Sequence, residues 1–413
     1  MKVKDIILTE MLSAAIRDAD FDNSRCMPPD IDWEEVYAEA VIHQVHTLVY
    51  PVIKNMNAGE GPGKELLEKW DRSVMSCGFR MICDGIWVGK VLEELGSMGI
   101  KTIVLKGMAL NRYYRHPELR TMGDADILVR EANMEKAGRI LRSMGYTAER
   151  DRKTKHVEFH KKGCISIELH RLLADREFLE NTGMLLKDAW DRPIPIKIGN
   201  AETLALSWEM QVLHLCVHMA SHITYGGIGL RQLCDLVVVV ENKGRIIDWN
   251  IVLEKSIEYG IDQFVPSIFS ACHRLLGMEL PPGMDTGADG EKVELLIEDI
   301  LSGGNFGVMD PQRMSANVLL NNSKRSGGLR SGKKLIKAMR ILFPGRKLMA
   351  GRYKYAYIRK NPLFLPVAWI HRIAHGIVRK DFNFQDKKAI FRDSRLSGMA
   401  EKRNDLLEWL GLR

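Results

Sequence analysis

Cysteine is scarce and unpatterned in this chain of 413 residues. Its seven cysteines (Cys26, Cys77, Cys83, Cys164, Cys216, Cys234, Cys272) are odd in number, widely spaced and never form a C-x-x-C pair. That spacing excludes a disulfide scaffold and a cysteine-built zinc site, and fits free thiols in a reducing compartment. Long apolar runs are missing as well, since no stretch reaches the roughly 18 residues of a membrane span. In "MKVKDIILTEMLSAAIRDAD", Glu10 interrupts the apolar core that a signal peptide requires. These absences predict a cytoplasmic protein. What is present, 46% hydrophobic and 27% charged residues, is an ordinary globular composition with length for two or three domains.

Acidic residues are few in one region only. Residues 324–403 hold 22 Lys or Arg against four acids, a net +18, which leaves −11 for the rest of a chain whose total is +7. Such a block attracts an acidic partner, nucleic acid or an anionic surface, or serves simply as solvated surface. Within it "NPLFLPVAWIHRIAHGIVRK" (residues 361–380) suits either a helix on a membrane surface or one packed on its own domain.

Periodicity divides the chain. "WEEVYAEAVIHQVHTLVYPVIKNM" and "MICDGIWVGKVLEELGSMG" repeat apolar residues at helical steps, which predicts a helical N-terminal region over residues 1–98. The period then changes. "KTIVLKG" and "DADILVR" read as strands, "MALNRYYR" as a helical turn, and "EANMEKAGRILRSMG" as an amphipathic helix closed by Gly145, so residues 99–198 form an α and β core. From "AETLALSWEM" onward helices return over residues 199–310, and a basic helical region follows over 311–413. The near P-loop "GGLRSGKK" lacks the final Ser or Thr and a preceding strand, and the glycines of "YGGIGLRQ" have no dinucleotide-binding context.

"HVEFHKKGCISIELHR" reads as a β-hairpin. With Lys161, Lys162 and Gly163 as a three-residue loop, His156 faces Glu168, Glu158 faces Ser166 and His160 faces Cys164. One face then carries His156, Glu158, His160, Ser166, Glu168 and His170, and the other Val157, Phe159, Ile165, Ile167 and Leu169.

Asp124 and Asp126 stand one residue apart in "RTMGDADILVR" and share a strand face, with Ala125, Ile127 and Val129 on the other. Two unit charges at about 4 Å repel by about 4 kcal/mol at an effective dielectric near 20, so the pair needs a cation, a shared proton or open water. Glu168 lies mid-strand between apolar neighbours and needs a partner of its own. Three carboxylates facing one way on neighbouring strands can hold one or two Mg²⁺ ions. Alternatively Glu168 pairs with Arg171 or His156. Lys106 and Gly107 sit between a strand and a helical turn, a place where backbone N–H groups suit a triphosphate. His214, His218 and His222 recur every four residues without an H-E-x-x-H motif, and suit a cleft or satisfied core hydrogen bonds better than zinc. Arg231 and Asp235 have the spacing of an intrahelical ion pair.

Together "IVLKGMALNRYY", "RTMGDADILV" and "ISIELHRLL" resemble the DNA polymerase β-like nucleotidyltransferases, and more closely a divergent bacterial family of uncharacterised nucleotidyltransferases. "VLHLCVHMASH", "LRQLCDLVVV" and "NPLFLPVAWIHR" extend the likeness more weakly. It departs from the superfamily at Lys106-Gly107-Met108, where a Gly-Ser is usual, and in a longer interval from Gly107 to Asp124. The resemblance implies an α+β fold, a mixed sheet with flanking helices. It also implies transfer of a nucleoside monophosphate from a nucleoside triphosphate, with ATP the expected donor, to a hydroxyl acceptor on a small molecule or protein. Asp124, Asp126 and Glu168 would be the catalytic and metal-binding residues, holding two Mg²⁺ ions. Lys106, Gly107, Arg120, His170 and Asp235 would lie on the nucleotide side. Because the carboxylates repel one another without metal, Asp126→Asn is expected to leave the fold as stable as before. The competing expectation is a catalytically inactive scaffold that keeps the fold and binds an acidic partner through its basic C-terminal region.

Overall fold

The computed structural model describes residues 1–21, 31–57, 59–148, 154–179, 181–284, 290–304, 364–369 and 394–413. Residues 1–311 and 403–413 make one compact unit, and residues 312–402 a second. The basic block over 324–403 lies outside the described residues except at 364–369 and 394–403, and the near P-loop at 327–334 lies wholly outside them.

Helices α1 (Val3–Arg17), α2 (Trp33–Ile42), α3 (Tyr50–Lys54) and α4 (Lys64–Ser97) come first. Strand β1 (Thr102–Val104), helix α5 (Lys106–Leu110), β2 (Asp124–Val129), α6 (Met134–Ser143), β3 (Thr147–Ala148), β4 (His156–His160), β5 (Ser166–His170), α7 (Thr182–Ala189), β6 (Ile194–Ile198) and β7 (Ala201–Ala205) form the middle. Helices α8 (Trp208–Tyr225), α9 (Leu230–Lys243), α10 (Trp249–Glu258), α11 (Phe264–Leu276), α12 (Gly290–Gly303) and α13 (Ser394–Trp409) follow. The strands build one seven-stranded mixed sheet in the order β3-β4-β5-β2-β1-β7-β6. β2 is antiparallel to β1 and parallel to β5, and β1 is parallel to β7.

Alternation along the strands divides the sheet into two unlike faces. Ala125, Ile127 and Val129 of β2, with Val157, Phe159, Ile167 and Leu169 of the β4–β5 hairpin, form a core with Val88, Leu92 and Leu95 of α4 and Ala137 and Leu141 of α6. The amphipathic stripe Met134, Ala137, Ile140, Leu141 brings α6 down on that face. On the opposite face Ile103 and Leu128 join a larger core built mainly from α1 and from α8 to α12. The carboxylates of β2 and β5 therefore face the helical half.

Two expectations give way. β4 and β5 pair His156 with His170, Glu158 with Glu168 and Phe159 with Ile167, two residues away from the register that a three-residue loop at Lys161–Gly163 would impose. The slip is even, so every side chain keeps its expected face. The second concerns "AETLA", which is strand β7 rather than a helix start. It hairpins with β6 across Gly199 and Asn200, with Gly199 at φ 58°, the backbone that a two-residue Gly-Asn turn supplies. β6 is the sheet edge and carries Pro195, whose missing N–H is tolerated there.

The far end of the chain returns to the first unit. Arg403 is buried, donating to Asp299, to the Ile223 carbonyl and to the Gly226 carbonyl at 2.9 Å. Leu406, Leu407 and Leu410 enter the larger core.

Candidate active site

Lys106 follows β1 in a left-handed backbone conformation, φ 47°, which non-glycine residues adopt rarely. Its Nζ donates to Asp126 Oδ1 at 2.6 Å. Next to it a Cβ on Gly107 would fall 2.2 Å from Arg120 Nη1 and 2.6 Å from Met122 Sδ, so only glycine lets the Arg120 guanidinium lie against this backbone. That guanidinium grips Asp235 of α9 with two bonds, Nε to Oδ1 at 3.0 Å and Nη2 to Oδ2 at 2.5 Å, while Tyr114 donates to Oδ1 at 2.7 Å. Both partners are 3% exposed. The spacing of Arg231 and Asp235 suggested an intrahelical pair. Instead the oxygens of Asp235 are taken by Arg120 and Tyr114, and Arg231 donates to the Thr121 carbonyl at 3.0 Å.

Asp126 and Glu168 are direct neighbours across the parallel β2–β5 pair. Asp124, Asp126 and Glu168 each offer an oxygen, and the three lie within 4.8 Å of one another. The group fits a hard divalent ion, which takes carboxylate oxygens in such numbers. The electrostatics of the three differ. Burial and the Asp126 charge push the Asp124 carboxyl up to about 6. Burial raises Asp126 too, but Lys106 and His170 outweigh it and hold that carboxyl well below its ordinary value. Glu168 is raised by burial and lowered by its hydrogen bond with His170, with a net downward shift. Burial lowers the Lys106 ammonium pKa, and the charges of Asp126, Asp124 and Glu168 more than restore it. Asp126 is therefore already met by the Lys106 ammonium and a hydrogen bond from His170, and the expectation that Asp126→Asn leaves stability unchanged is corrected: the substitution would take the counter-charge from the buried Lys106. The carboxylate under repulsion is Asp124.

His170 Nε2 lies 2.8 Å from Asp126 Oδ1 and 3.1 Å from Glu168 Oε2. The ring of His156, on β4, stands 4.9 Å from that of His170. From α8, His218 and His222 face the same cleft, their ring centroids 4.2 Å apart, and His214 lies one turn earlier. Burial, reinforced by the Lys106 charge, pushes the imidazoles of His214 and His222 down to about 3 and about 4. The cleft has a volume of about 270 Å³ and is lined by the three carboxylates, by Lys106, Lys155 and Arg231, and by apolar Met122, Leu215 and Met219, among others. Gly107, Arg120 and Asp235 also border it, whereas His170 is buried behind Asp126 and Glu168. Lys155 and Gln232, which also lines the cleft, escaped sequence reasoning, because a lysine in the charged run "DRKTKH" and a glutamine in a helix carry no positional signal.

A more open depression of about 520 Å³ lies between residues 31–34 and 63–66. Its charged side chains Asp32, Glu34, Lys64 and Glu65 belong to the starts of α2 and α4, with Asp32 capping its helix by accepting from the Glu35 N–H. The carboxylate cluster lies in the smaller cleft. No helix among the described residues is long and apolar enough to cross a membrane.

The chain is similar to a crystal structure of an antigenic nucleotidyltransferase-like protein from Paracoccidioides brasiliensis, at 11% identity over 50% of this chain and 97% of that one, with a TM-score of 0.31. No curated protein matches it. Residues 29–277, more than half of the chain, match the family described as uncharacterised nucleotidyltransferase, and the chain belongs to that family.

Proposed function

We propose that this protein transfers a nucleoside monophosphate from a nucleoside triphosphate, ATP being the expected donor, to a hydroxyl group of a small molecule or protein. The observation that carries this reading is the meeting of Asp124, Asp126 and Glu168, oxygens within 4.8 Å, on the floor of a cleft walled by Lys106, Lys155 and Arg231. The three carboxylates would hold Mg²⁺, which supplies charge for the triphosphate and acidifies the acceptor hydroxyl. Lys106, which donates to Asp126 at 2.6 Å, would supply a cation for the triphosphate at the same edge of the cleft. Arg231 of α9 and Lys155, just before β4, also line the cleft and neutralise phosphate charge. Glu168 takes the acceptor's proton as the acceptor oxygen bonds to the α-phosphorus and the bond to the departing pyrophosphate breaks. Arg120 acts from behind, fixing Gly107 and α9 through Asp235.

The test is transfer of label from α-labelled nucleotides to acceptors in cell extract, with Asp124→Asn as control. Removing Asp124 relieves repulsion, so the variant is expected to remain folded while transfer falls by roughly two to three orders of magnitude, each 1.36 kcal/mol of lost stabilisation being tenfold. Nucleotide with Mg²⁺ at roughly 100 times its dissociation constant should raise stability by about 2.7 kcal/mol. Stabilisation with no labelled product in any extract would favour the non-catalytic scaffold, and an Asp124→Asn variant of full activity would move the chemistry elsewhere.

A further inference from the structure

Beside the carboxylate cluster lies a second set of donors. His156, Glu168 and His170 each present one ligating atom, and the three atoms lie within 4.8 Å of one another. His170 Nε2 is 3.1 Å from Glu168 Oε2, and His156 Nδ1 is 3.4 Å from the same oxygen. Tetrahedral zinc with bonds of roughly 2.0 to 2.1 Å sets its donors about 3.3 Å apart, so both edges already have the spacing of a zinc ligand set.

The remaining nitrogens are arranged to match. His170 Nε2 donates to Asp126 Oδ1 at 2.8 Å and to Glu168 Oε2 at 3.1 Å, with the proton that an ion would displace, and its Nδ1 lies 3.3 Å from the Leu172 carbonyl, which accepts the Nδ1 proton that stays. His156 Nε2 lies 3.5 Å from Glu158 Oε1, while its buried Nδ1 makes no hydrogen bond among the described residues. A carbonyl behind one imidazole and a carboxylate behind the other are the outer partners that orient metal-bound histidines. The even register slip produces this arrangement, because it sets His156 directly opposite His170 and Glu158 directly opposite Glu168.

We infer that His156, Glu168 and His170 form a binding site for a borderline divalent ion of the zinc class, adjacent to the three-carboxylate position and sharing Glu168 with it. Imidazole ligands select zinc-like ions over Mg²⁺. His156 and Glu168 line the cleft while His170 is buried behind them, and only the site's proximity to the transfer chemistry rests on the function proposed above.

The experiment is titration of the untagged full-length protein with Zn²⁺ by calorimetry and with Co²⁺ by visible absorption, without nucleotide. One ion per chain is expected, with affinity lowered at least tenfold in His156→Gln and about tenfold in Glu158→Gln, and kept in Asp124→Asn. Absence of tight Zn²⁺ binding, equal affinity in His156→Gln, or loss in Asp124→Asn as great as in His156→Gln would overturn the proposal. Binding of Mg²⁺ with ATP is measured on the same preparations: its failure with zinc binding intact sinks the transfer reading alone, and the reverse result sinks this site alone.

Discussion

At the residue scale the tightest constraint is the packing of Gly107 on Arg120. Gly107→Ala puts a methyl group 2.2 Å from a guanidinium nitrogen, and that nitrogen cannot retreat while its group is tied to Asp235. The expected cost is about 1 to 3 kcal/mol, the range for overpacking a well-filled site, read as a lower midpoint in chemical denaturation. Asp235→Asn is expected to cost more, about 3 to 5 kcal/mol, because it leaves the buried Arg120 charge without its counter-ion. Equal stability of Asp235→Asn and the parent would mean that water reaches Arg120. Sequence alone made Arg120 and Asp235 separate cleft residues, since 115 positions divide them and neither lies on a repeating pattern that points at the other. The local order of Lys106, Gly107, Asp124 and Asp126, by contrast, was legible, because strand alternation and a glycine after a strand act over a few residues.

At the scale of elements, α8 brings three histidines at four-residue steps against the sheet, and burial keeps them neutral. A histidine whose folded pKa is depressed takes its proton first in the unfolded chain, so stability falls as pH drops below about 6.5. For His214 and His222 the fall continues to about pH 3 and about pH 4. His170 works in the opposite direction: its raised pKa adds stability that is present below about pH 6.5 and lost as pH rises through its folded value. Asp124, its carboxyl raised to about 6, acts in the same direction as His170, but the three α8 histidines outnumber these two, so the denaturation midpoint is expected to be lower at pH 5 than at pH 7, and the difference to shrink in His214→Gln. An unchanged midpoint would refute the burial argument. The strands show how far pattern reaches. The faces of β4 and β5 followed from period two, but the register needed the loop length, and a loop of Lys, Lys and Gly with flanking Cys164 fits more than one. β7 was hidden because "AETLALSWEM" continues without a break into α8, and only the Gly199-Asn200 turn marks its start.

At the scale of the whole molecule, charge pattern separated a basic C-terminal region from an acidic remainder, yet the last eleven residues belong with the remainder. The reason is not visible in composition. "LLEWL" near the end is too short to announce which core it joins, and Arg403, counted in the basic block, is a buried partner of Asp299. A chain ended at residue 311 would lose Leu406, Leu407 and Leu410 from the larger core and leave Asp299 without the Arg403 guanidinium. Each buried leucine removed to alanine costs about 2 to 5 kcal/mol, comparable to a large part of the 5 to 15 kcal/mol that holds a typical domain together. The truncated chain is therefore expected to be insoluble or to unfold far below the parent's midpoint, and Leu407→Ala in the full chain to lower that midpoint by an amount in the single-leucine range. A truncation at 311 that melts with the parent would show that the terminal helix is an attachment. The expected failure would instead show that the acidic cleft is held in a unit closed by the last turns of the chain.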